Sequence, residues 1–274
     1  MDIQLKGKRA LITGSSSGLG EAIAKMLANE GAMVIIHGRD KSRAENVAKA
    51  IIDKGGSAKI AIGDLSTDEG ADQVAAEALQ SGKIDILINN AGATSHKSWG
   101  EATADDWLDI YNTNVVSYVR MIQRIVPQMK NLGWGRVVHI GGGLGIQPIK
   151  EQPHYNATLA ARHNMSVSLA RTLKDTGITS NVVSPGAIIN PMVEDWLKNA
   201  APKFNWGTDM EEIKYKAVQE LIPNDTGRFG EPEEIAGAVV YLCSHFADYI
   251  SGSVLRVDGG TIRCLQIIKS GRPK

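Results

Sequence analysis

A glycine-rich turn near the amino terminus is the first segment whose residue types could do chemistry. Gly14, Gly18 and Gly20 lie between a short apolar run at residues 9–13 and a helical pattern at residues 18–29. Glycines allow a backbone to turn tightly and to approach a pyrophosphate closely, and the free N–H groups at the start of a helix attract its negative charge. The spacing therefore predicts a dinucleotide-binding loop.

The end of the second apolar run indicates which dinucleotide this loop would hold. His37-Gly38-Arg39 contains no carboxylate that could bond a ribose 2′-hydroxyl, whereas a guanidinium can grip a 2′-phosphate through paired hydrogen bonds. We therefore expect NADP in preference to NAD, with Arg39 and the hydroxyl of Ser15 near the phosphate. The alternative is that Arg39 is a solvated surface side chain beside Asp40.

Short apolar runs alternate with helical patterns along most of the chain, and this alternation sets the fold class. Helices are predicted at residues 18–29 and 41–54. Strands are predicted at residues 9–13, 33–36, 58–62, 84–88, 136–140, 180–184 and 254–257. Continuous apolar strands separated by helices indicate an α/β fold with a parallel sheet covered on both faces. The distinctive motifs follow strand ends, which predicts that they share one cleft.

Composition narrows the possible partners. A chain of 274 residues with 43% hydrophobic residues can bury a substantial core, and no linker divides it, so we expect a single domain over residues 1–274. Lys and Arg together number 30, as do Asp and Glu, which gives no electrostatic argument for a nucleic acid or an anionic membrane. Because no signal-like or membrane-spanning run is apparent, we expect a cytoplasmic protein. Cys243 and Cys264 form no metal-ligand pattern and are expected to be reduced.

Several motifs together resemble those of the short-chain dehydrogenase/reductase family along roughly residues 5–261. They are Thr13 to Gly20, Asn89-Asn90-Ala91-Gly92, Asn114, Tyr155 and Pro185-Gly186. The resemblance implies a single-domain, Rossmann-like, doubly wound parallel sheet that binds NADP and no metal. The residues that it implies at the cofactor are Gly14, Ser15, Ser17, Gly18, Leu19, Gly20, Arg39, Asp64, Leu65, Asn90, Ala91, Gly92, Tyr155, Pro185, Gly186 and Ile188.

The same resemblance exposes two positions at which this chain departs from the family. In the family a tyrosine donates or accepts the proton, a lysine one helical turn later lowers the pKa of that tyrosine, and an earlier serine bonds the substrate oxygen. Tyr155 is present, and so is Asn114, which is implied to anchor a water relay. Leu159 and Gly142, however, stand where the lysine and the serine are expected.

Helix geometry suggests a replacement for the lysine. Residues seven apart lie on nearly the same stripe of a helix, about 10 Å apart along its axis, and helical side chains lean toward the amino terminus. Arg162 would then point back toward Leu159 and Tyr155, which makes it a candidate catalytic residue. The alternative is that Arg162 pairs with a carboxylate in a subunit interface. His139 and His154 could each supply a proton or be hydrogen-bonded structural residues.

Residues 187–223 resemble the family's mobile substrate lid. The apolar residues of this segment are Met192, Trp196, Leu197, Phe204, Trp206 and Met210. They predict either a pocket that closes over a small apolar or aromatic substrate, or a helix pair packed on its own body. Segments 226–234 and 251–260 resemble the family's subunit contacts, which implies a homodimer or homotetramer. The tail at residues 263–274 lies outside the resemblance, and either a subunit contact or disorder fits it.

Three functions follow from these patterns. The first is an NADP(H)-dependent oxidoreductase that reduces a carbonyl or oxidises an alcohol, with an incomplete set of catalytic residues. The second is a weakly active or inactive protein that binds NADP(H) as a sensor or as the partner of an active homologue. The third is a non-redox dehydration or isomerisation in which Tyr155 acts with His154 or Arg162.

Overall fold

The computed structural model describes residues 3–263 of the chain. Its centre is one parallel sheet of seven strands in the order β3-β2-β1-β4-β5-β6-β7. The strands are β1 Arg9–Ile12, β2 Met33–Gly38, β3 Ser57–Ile62, β4 Ile86–Asn89, β5 Gly135–Ile140, β6 Ile178–Pro185 and β7 Val254–Val257. Every predicted strand is present, and the α/β fold class is confirmed. Cys264 and nearly all of the predicted tail lie outside the described residues.

Nine α-helices connect or flank these strands within residues 3–263. They are α1 Gly18–Asn29, α2 Lys41–Ile52, α3 Asp68–Gln80, α4 Ala104–Tyr111, α5 Ser117–Leu132, α6 Pro153–Thr172, α7 Pro191–Phe204, α8 Met210–Glu220 and α9 Pro232–Cys243. The helix predicted at residues 41–54 ends at Ile52. None of the helices in this part of the chain is both long and apolar enough to cross a lipid bilayer.

Successive residues of a strand point to opposite faces of the sheet, and apolar side chains are buried on both faces. Ile12 and Ile36 pack with apolar residues of α1, α2 and α9 on one face. Leu11 and Ile35 pack with α3 and α5 on the other. This two-sided burial explains why the strands read as continuous apolar runs. Because all strand pairs are parallel, the carboxyl ends of the strands lie along one edge of the sheet, where the candidate site lies.

A π-helical segment, Asn112–Val116, joins α4 to α5. Such segments are rare and occur frequently at functional sites, since the extra residue in the turn redirects neighbouring groups. Here it carries Asn114, which is fully buried. The irregular turn therefore places a predicted site residue between the ends of the central strands and α6.

Candidate active site

The glycine-rich loop after β1 has the backbone geometry that only glycine adopts readily. Gly14 and Gly18 have φ angles of +64° and +58°, in the left-handed region that penalises a Cβ atom. A Cβ atom on Gly14 would also lie 2.8 Å from the Cα of Ala91, and one on Gly20 would lie 2.4 Å from the carbonyl oxygen of Gly14. The loop therefore closes tightly on α1 and on the segment after β4.

Hydrogen bonds lock this loop to the Asn-Ala-Gly segment after β4. The Thr13 hydroxyl accepts from the backbone N–H groups of Asn90 and Ala91 at 2.9 and 3.0 Å. In return, Nδ2 of Asn90 donates to the carbonyl oxygens of Thr13 and Gly14 at 2.9 and 3.0 Å. Two segments that the sequence predicts to contact the same cofactor are thus held as one unit.

His37 supports the loop from β2, a role that the sequence analysis missed. Its Nδ1 accepts from the N–H of Gly14 at 2.8 Å, and its Nε2 lies 3.2 Å from the carbonyl oxygen of Gly63. Burial lowers the pKa of His37 to about 4, so the ring is neutral at pH 7 and the Nε2–H donates to Gly63. The available signal was a histidine inside an otherwise apolar strand.

The hydroxyl of Ser15 does not face the cleft, in contrast to the expectation that it would help to hold a 2′-phosphate. Ser15 is fully buried, donating to the carbonyl oxygen of Ile12 at 2.7 Å and accepting from the N–H of His37 at 3.0 Å. Ser16 takes the outward position instead. A Cβ atom on Gly38 would lie 2.6 Å from the Ser16 Oγ, so this hydroxyl stands directly beside the end of β2.

Arg39 extends into solvent at the same rim of the cleft. Its side chain is 79% exposed, and its Nη1 lies 3.9 Å from Oδ2 of Asp64. An exposed pair at this distance contributes little to stability, so the guanidinium is free to engage an anion. The side chain of Leu65, which was expected near the adenine, is buried in the core beside α3.

The remaining residues implied at the cofactor lie on the same edge of the sheet. Ser17 and Gly92 are exposed, and Leu19 and Ile188 are half-buried. Pro185 ends β6, and a Cβ atom on Gly186 would lie 2.8 Å from the Cα of Asp258. Their contact with a cofactor stays a prediction.

Tyr155 lies in the first turn of α6, a helix that begins with Pro153 at its first position. Its side chain is half-buried. Burial raises the pKa of Tyr155, and the positive charge of Arg162 opposes that increase. The phenol is therefore protonated at neutral pH.

Gly142 and Leu159 are in direct contact across the cleft floor. A Cβ atom on Gly142 would lie 2.9 Å from the Leu159 Cδ1, and Leu159 is 1% exposed. The leucine thus occupies the volume that any side chain at position 142 would need. The two residues are matched in size, and neither can be enlarged without displacing the other.

Asn114 clamps two segments together. Its side chain exchanges hydrogen bonds with the backbone N–H and carbonyl of Ala93 at 2.8 and 2.9 Å. Its Nδ2 also donates to the hydroxyl of Thr158 at 3.1 Å, and that hydroxyl donates to the carbonyl oxygen of Tyr155 at 2.7 Å. Thr158 was not singled out from the sequence, because nothing in its local pattern marks it.

Arg162 is buried, and its guanidinium donates to backbone carbonyls of three separate segments. Nε bonds the carbonyl oxygen of Asn114 at 2.7 Å, Nη1 that of Ile140 at 3.0 Å, and Nη2 that of Ala91 at 3.5 Å. The guanidinium carbon lies 4.3 Å from the centre of the Tyr118 ring. The ion pairs that arginines form within residues 3–263 do not include Arg162. It is a buried cation with no carboxylate partner in this part of the chain.

The two histidines considered as proton sources are both enclosed. His139 is fully buried against Tyr118, 3.3 Å from Nδ2 of Asn89 and 3.4 Å from Oγ of Ser180, and burial lowers its pKa to about 3. It is a neutral structural residue. His154 is also fully buried, 5.9 Å from the Trp107 ring, and its ring nitrogens have no hydrogen-bond partner among the described residues.

The predicted lid segment forms the helix pair α7 and α8 with a small core of its own. Leu197 and Trp206 are fully buried in that core, as the alternative of self-packing requires. Met192 and Trp196 are 73% and 44% exposed on α7. The pair therefore combines a packed interior with exposed apolar side chains on α7. Within residues 3–263 no cluster of side chains could hold a metal ion.

Comparison with known proteins assigns the family. Residues 8–201 match the model of the short chain dehydrogenase family. The chain belongs to the short chain dehydrogenases. Among curated short chain dehydrogenases, it is 36% identical over 263 residues to the 3-oxoacyl-[acyl-carrier-protein] reductase of Aquifex aeolicus, covering 95% of this chain and 99% of that one. It is 35% identical over 266 residues to the uncharacterized oxidoreductase YvaG of Bacillus subtilis, covering 96% and 99%.

Solved structures of short chain dehydrogenases share this fold over nearly the whole chain. L-sorbose reductase from Gluconobacter frateurii, complexed with NADPH and L-sorbose, is 35% identical with a TM-score of 0.91 and covers 97% of this chain and 100% of that one. A 3-oxoacyl reductase from Agrobacterium tumefaciens with NADP bound is 34% identical with a TM-score of 0.85 and covers 93% and 95%.

Proposed function

We propose that this short chain dehydrogenase is an NADP(H)-dependent oxidoreductase that interconverts a carbonyl and an alcohol, with Tyr155 as its acid and base. The observation that carries the proposal is the single network that joins the glycine loop to the tyrosine. Asn90 and Ala91 bond Thr13 of the loop, and Arg162 bonds Ala91 on one side and Asn114 on the other. Asn114 in turn donates to the hydroxyl of Thr158, and that hydroxyl donates to the backbone carbonyl oxygen of Tyr155.

The residues present fit an NADP molecule. The cradle between Gly14, Gly20 and Ala91 leaves no room for side chains, as close approach of a pyrophosphate requires. Arg39 and Ser16 would hold the 2′-phosphate at the end of β2, and Gly92 and Gly186 would flank the nicotinamide side. NADP is the cofactor in the structures of two relatives, which supports the same choice here. When bound, the cofactor supplies or accepts the hydride.

Tyr155 supplies the proton. Because burial raises its pKa, the phenol is protonated at neutral pH and donates to the carbonyl oxygen as the alcohol forms. In the reverse direction the deprotonated phenol accepts the hydroxyl proton, and the positive charge of Arg162 stabilises that anion. Proton transfer of this kind contributes about 10²–10⁴-fold to a rate.

The catalytic set is incomplete by comparison with the family pattern, with Gly142 and Leu159 at the serine and lysine positions. Arg162 supplies the missing positive charge from one turn further along α6. All of its described hydrogen bonds go to backbone carbonyls, so it acts as a positioning residue and an electrostatic one rather than by touching the reacting atoms. An uncompensated cation in a low-dielectric interior has a stronger effect on neighbouring groups than a solvated one.

The substrate that fits this chain best is small and apolar or aromatic. Met192 and Trp196 present exposed apolar surface on α7, next to the segment that follows β6. We propose that α7 and α8 close over the substrate as a lid. A homodimer or homotetramer is the expected assembly, and light scattering of the purified protein would test it.

Oxidation of NADPH by a carbonyl panel tests the proposed function. L-sorbose, ethyl acetoacetate and acetophenone represent a ketose, a 3-oxoester and an aryl ketone, and acetophenone is expected to be turned over best. Turnover that Tyr155→Phe abolishes would support the oxidoreductase. Tight binding of NADPH without turnover of any carbonyl would instead support the binding-protein alternative, in which Leu159 merely fills a vacated catalytic position.

Introducing the serine and the lysine of the family pattern tests whether this chain needs them. Gly142→Ser and Leu159→Lys should be introduced together, because the two positions are in contact. If Arg162 already supplies the cation, this double substitution places a second positive charge one turn away and lowers the native activity. A large gain of activity would show that the chain lacks a working replacement.

A further inference from the structure

Three consecutive glycines follow β5, and each faces a larger side chain. Cβ atoms on Gly141, Gly142 and Gly143 would lie 2.6 Å from His163 Nε2, 2.9 Å from Leu159 Cδ1 and 3.1 Å from Ile262 Cδ1, respectively. A Cβ atom on Gly145 would lie 2.8 Å from the backbone of Leu159 and Ala160. The glycine loop after β5 is thus pressed against the turn of α6 that follows Tyr155.

The backbone hydrogen bonds of this loop are divided unevenly. The N–H of Gly141 donates to the carbonyl oxygen of Val183 at 2.8 Å. The carbonyl of Gly142 accepts from Gly145, and that of Gly143 accepts from Ile146 and Gln147, at 2.9 to 3.0 Å. The N–H groups of Gly142 and Gly143, by contrast, donate to no group among the described residues. Within residues 3–263 the loop is therefore held by the Gly141 N–H and by the carbonyls of Gly142 and Gly143, and the other two N–H groups have no partner.

A fully buried N–H group is almost always paired with protein or water. Gly142 is buried beneath Leu159, whereas Gly143 is half-exposed, so the Gly143 N–H is the donor that a ligand can reach. The loop is also the segment in which the family pattern places the serine that bonds the substrate oxygen.

We propose that the backbone N–H of Gly143 replaces the absent serine hydroxyl and donates a hydrogen bond to the substrate carbonyl oxygen. This proposal rests on the proposed oxidoreductase function. As the carbonyl carbon gains hydride, negative charge develops on the oxygen, and a fixed donor stabilises that charge without reorganising. Tyr155 delivers the proton to the same oxygen. The three consecutive glycines allow the Gly143 N–H to take the place of the serine hydroxyl, since they carry no side chain that would shield this N–H from the substrate.

A proline substitution removes this donor with little change of backbone. Gly143 begins a single turn of 3-10 helix, whose φ of about −50° to −70° suits proline. Gly142 before it has φ 174° and ψ 151°, an extended conformation that a residue preceding proline favours. The Gly143 N–H donates to no described residue, so Gly143→Pro breaks no described internal hydrogen bond. Gly143→Ala is the matched control, because it adds the same Cβ atom beside Ile262 and keeps the N–H.

The experiment compares kcat, KM and NADPH affinity for the two variants with acetophenone. We expect Gly143→Pro to lower kcat about 10²-fold or more relative to Gly143→Ala, the effect of losing one oxyanion donor, with both variants binding NADPH as the unchanged protein does. Equal kcat values in the two variants would overturn the proposal while leaving the oxidoreductase function intact. No turnover by the unchanged protein would overturn both.

An infrared measurement tests the same donor if Gly143→Pro does not fold. In Tyr155→Phe, which lacks the phenol, the carbonyl stretch of ¹³C-labelled acetophenone bound together with NADP⁺ is expected to lie below its frequency in hexane. A band at the hexane frequency would show that no second donor reaches the oxygen, and the proposal would fail.

Discussion

The two halves of the active-site edge follow different rules. On the β1–β4 side, the glycine loop makes the tight turn that the sequence predicts and lies against the Asn90–Gly92 segment, with a positive φ at Gly14 and a close approach of Gly14 to Ala91. On the β5–α6 side, Tyr155 stands at the position expected of the family's tyrosine, and we propose that Arg162 serves it in place of the lysine and serine expected at Leu159 and Gly142. A site made of backbone groups tolerates few solutions, whereas a site made of side chains can relocate a charge or a donor.

The largest expected effect separates the two halves directly. Tyr155→Phe should lower kcat for carbonyl reduction about 10²–10⁴-fold, since it removes the proton donor. The dissociation constant for NADPH, measured by nicotinamide fluorescence, should change little, because the glycine loop is untouched. A variant that retained its activity would exclude Tyr155 as the acid.

Variants of Arg162 test whether catalysis on the β5–α6 side depends on a cation. Arg162→Leu should lower kcat about 10–10²-fold, roughly the effect of 1.4–2.7 kcal/mol. In alcohol oxidation the pH profile should also shift upward, because the positive charge of Arg162 opposes the raised pKa of Tyr155. Arg162→Lys should restore part of the profile. Arg171→Leu, an exposed position on the same helix, is the control that should leave both measurements unchanged.

On the β1–β4 side, the preference for NADPH over NADH can be tested with variants at the end of β2. A charged hydrogen bond contributes about 1.5–3 kcal/mol, or one to two decades of affinity, so Arg39→Leu should weaken NADPH by that factor and leave NADH unaffected. Gly38→Asp alone should fail to favour NADH, because its Cβ atom would lie 2.6 Å from the Ser16 Oγ. Adding Ser16→Gly should relieve the clash. Equal affinities for NADPH and NADH in the unchanged protein would contradict the assignment.

The last prediction concerns the acid stability of the fold rather than catalysis or cofactor binding. The pKa of His37 is lowered to about 4 by burial, below its usual value near 6.5, so between these pH values the unfolded chain binds a proton that the folded chain does not. The stabilisation is present above pH 6.5 and is lost as pH falls toward 4, by at most about 3 kcal/mol. Urea unfolding at several pH values should show a shallower loss for His37→Gln. An equally steep loss in that variant would assign the effect to other groups, including His139.

Some features of the fold and site could be predicted from the sequence, and others could not, for physical reasons. The strands were found because a sheet buried on both faces requires continuous apolar runs. The expectation that the Ser15 hydroxyl faces the cleft was wrong, since the directions of adjacent loop residues cannot be read from their order in the chain. His37 and Thr158 were missed because their partners, Gly14 and Asn114, lie 23 and 44 residues away in the chain.

What the sequence determined by itself was the architecture and the glycine loop, because apolar periodicity and the conformational freedom of glycine are local properties. It also carried the family resemblance under which a serine and a lysine are expected at Gly142 and Leu159. Only the tertiary structure decided how these two positions pack and what lies around them. Leu159 takes the volume above Gly142, and Arg162 bonds backbone carbonyls of three segments. The carbonyls of Gly142 and Gly143 accept hydrogen bonds, whereas the Gly143 N–H has no partner within residues 3–263. These arrangements depend on contacts between residues that are far apart in the sequence, and such contacts exist only in the folded chain.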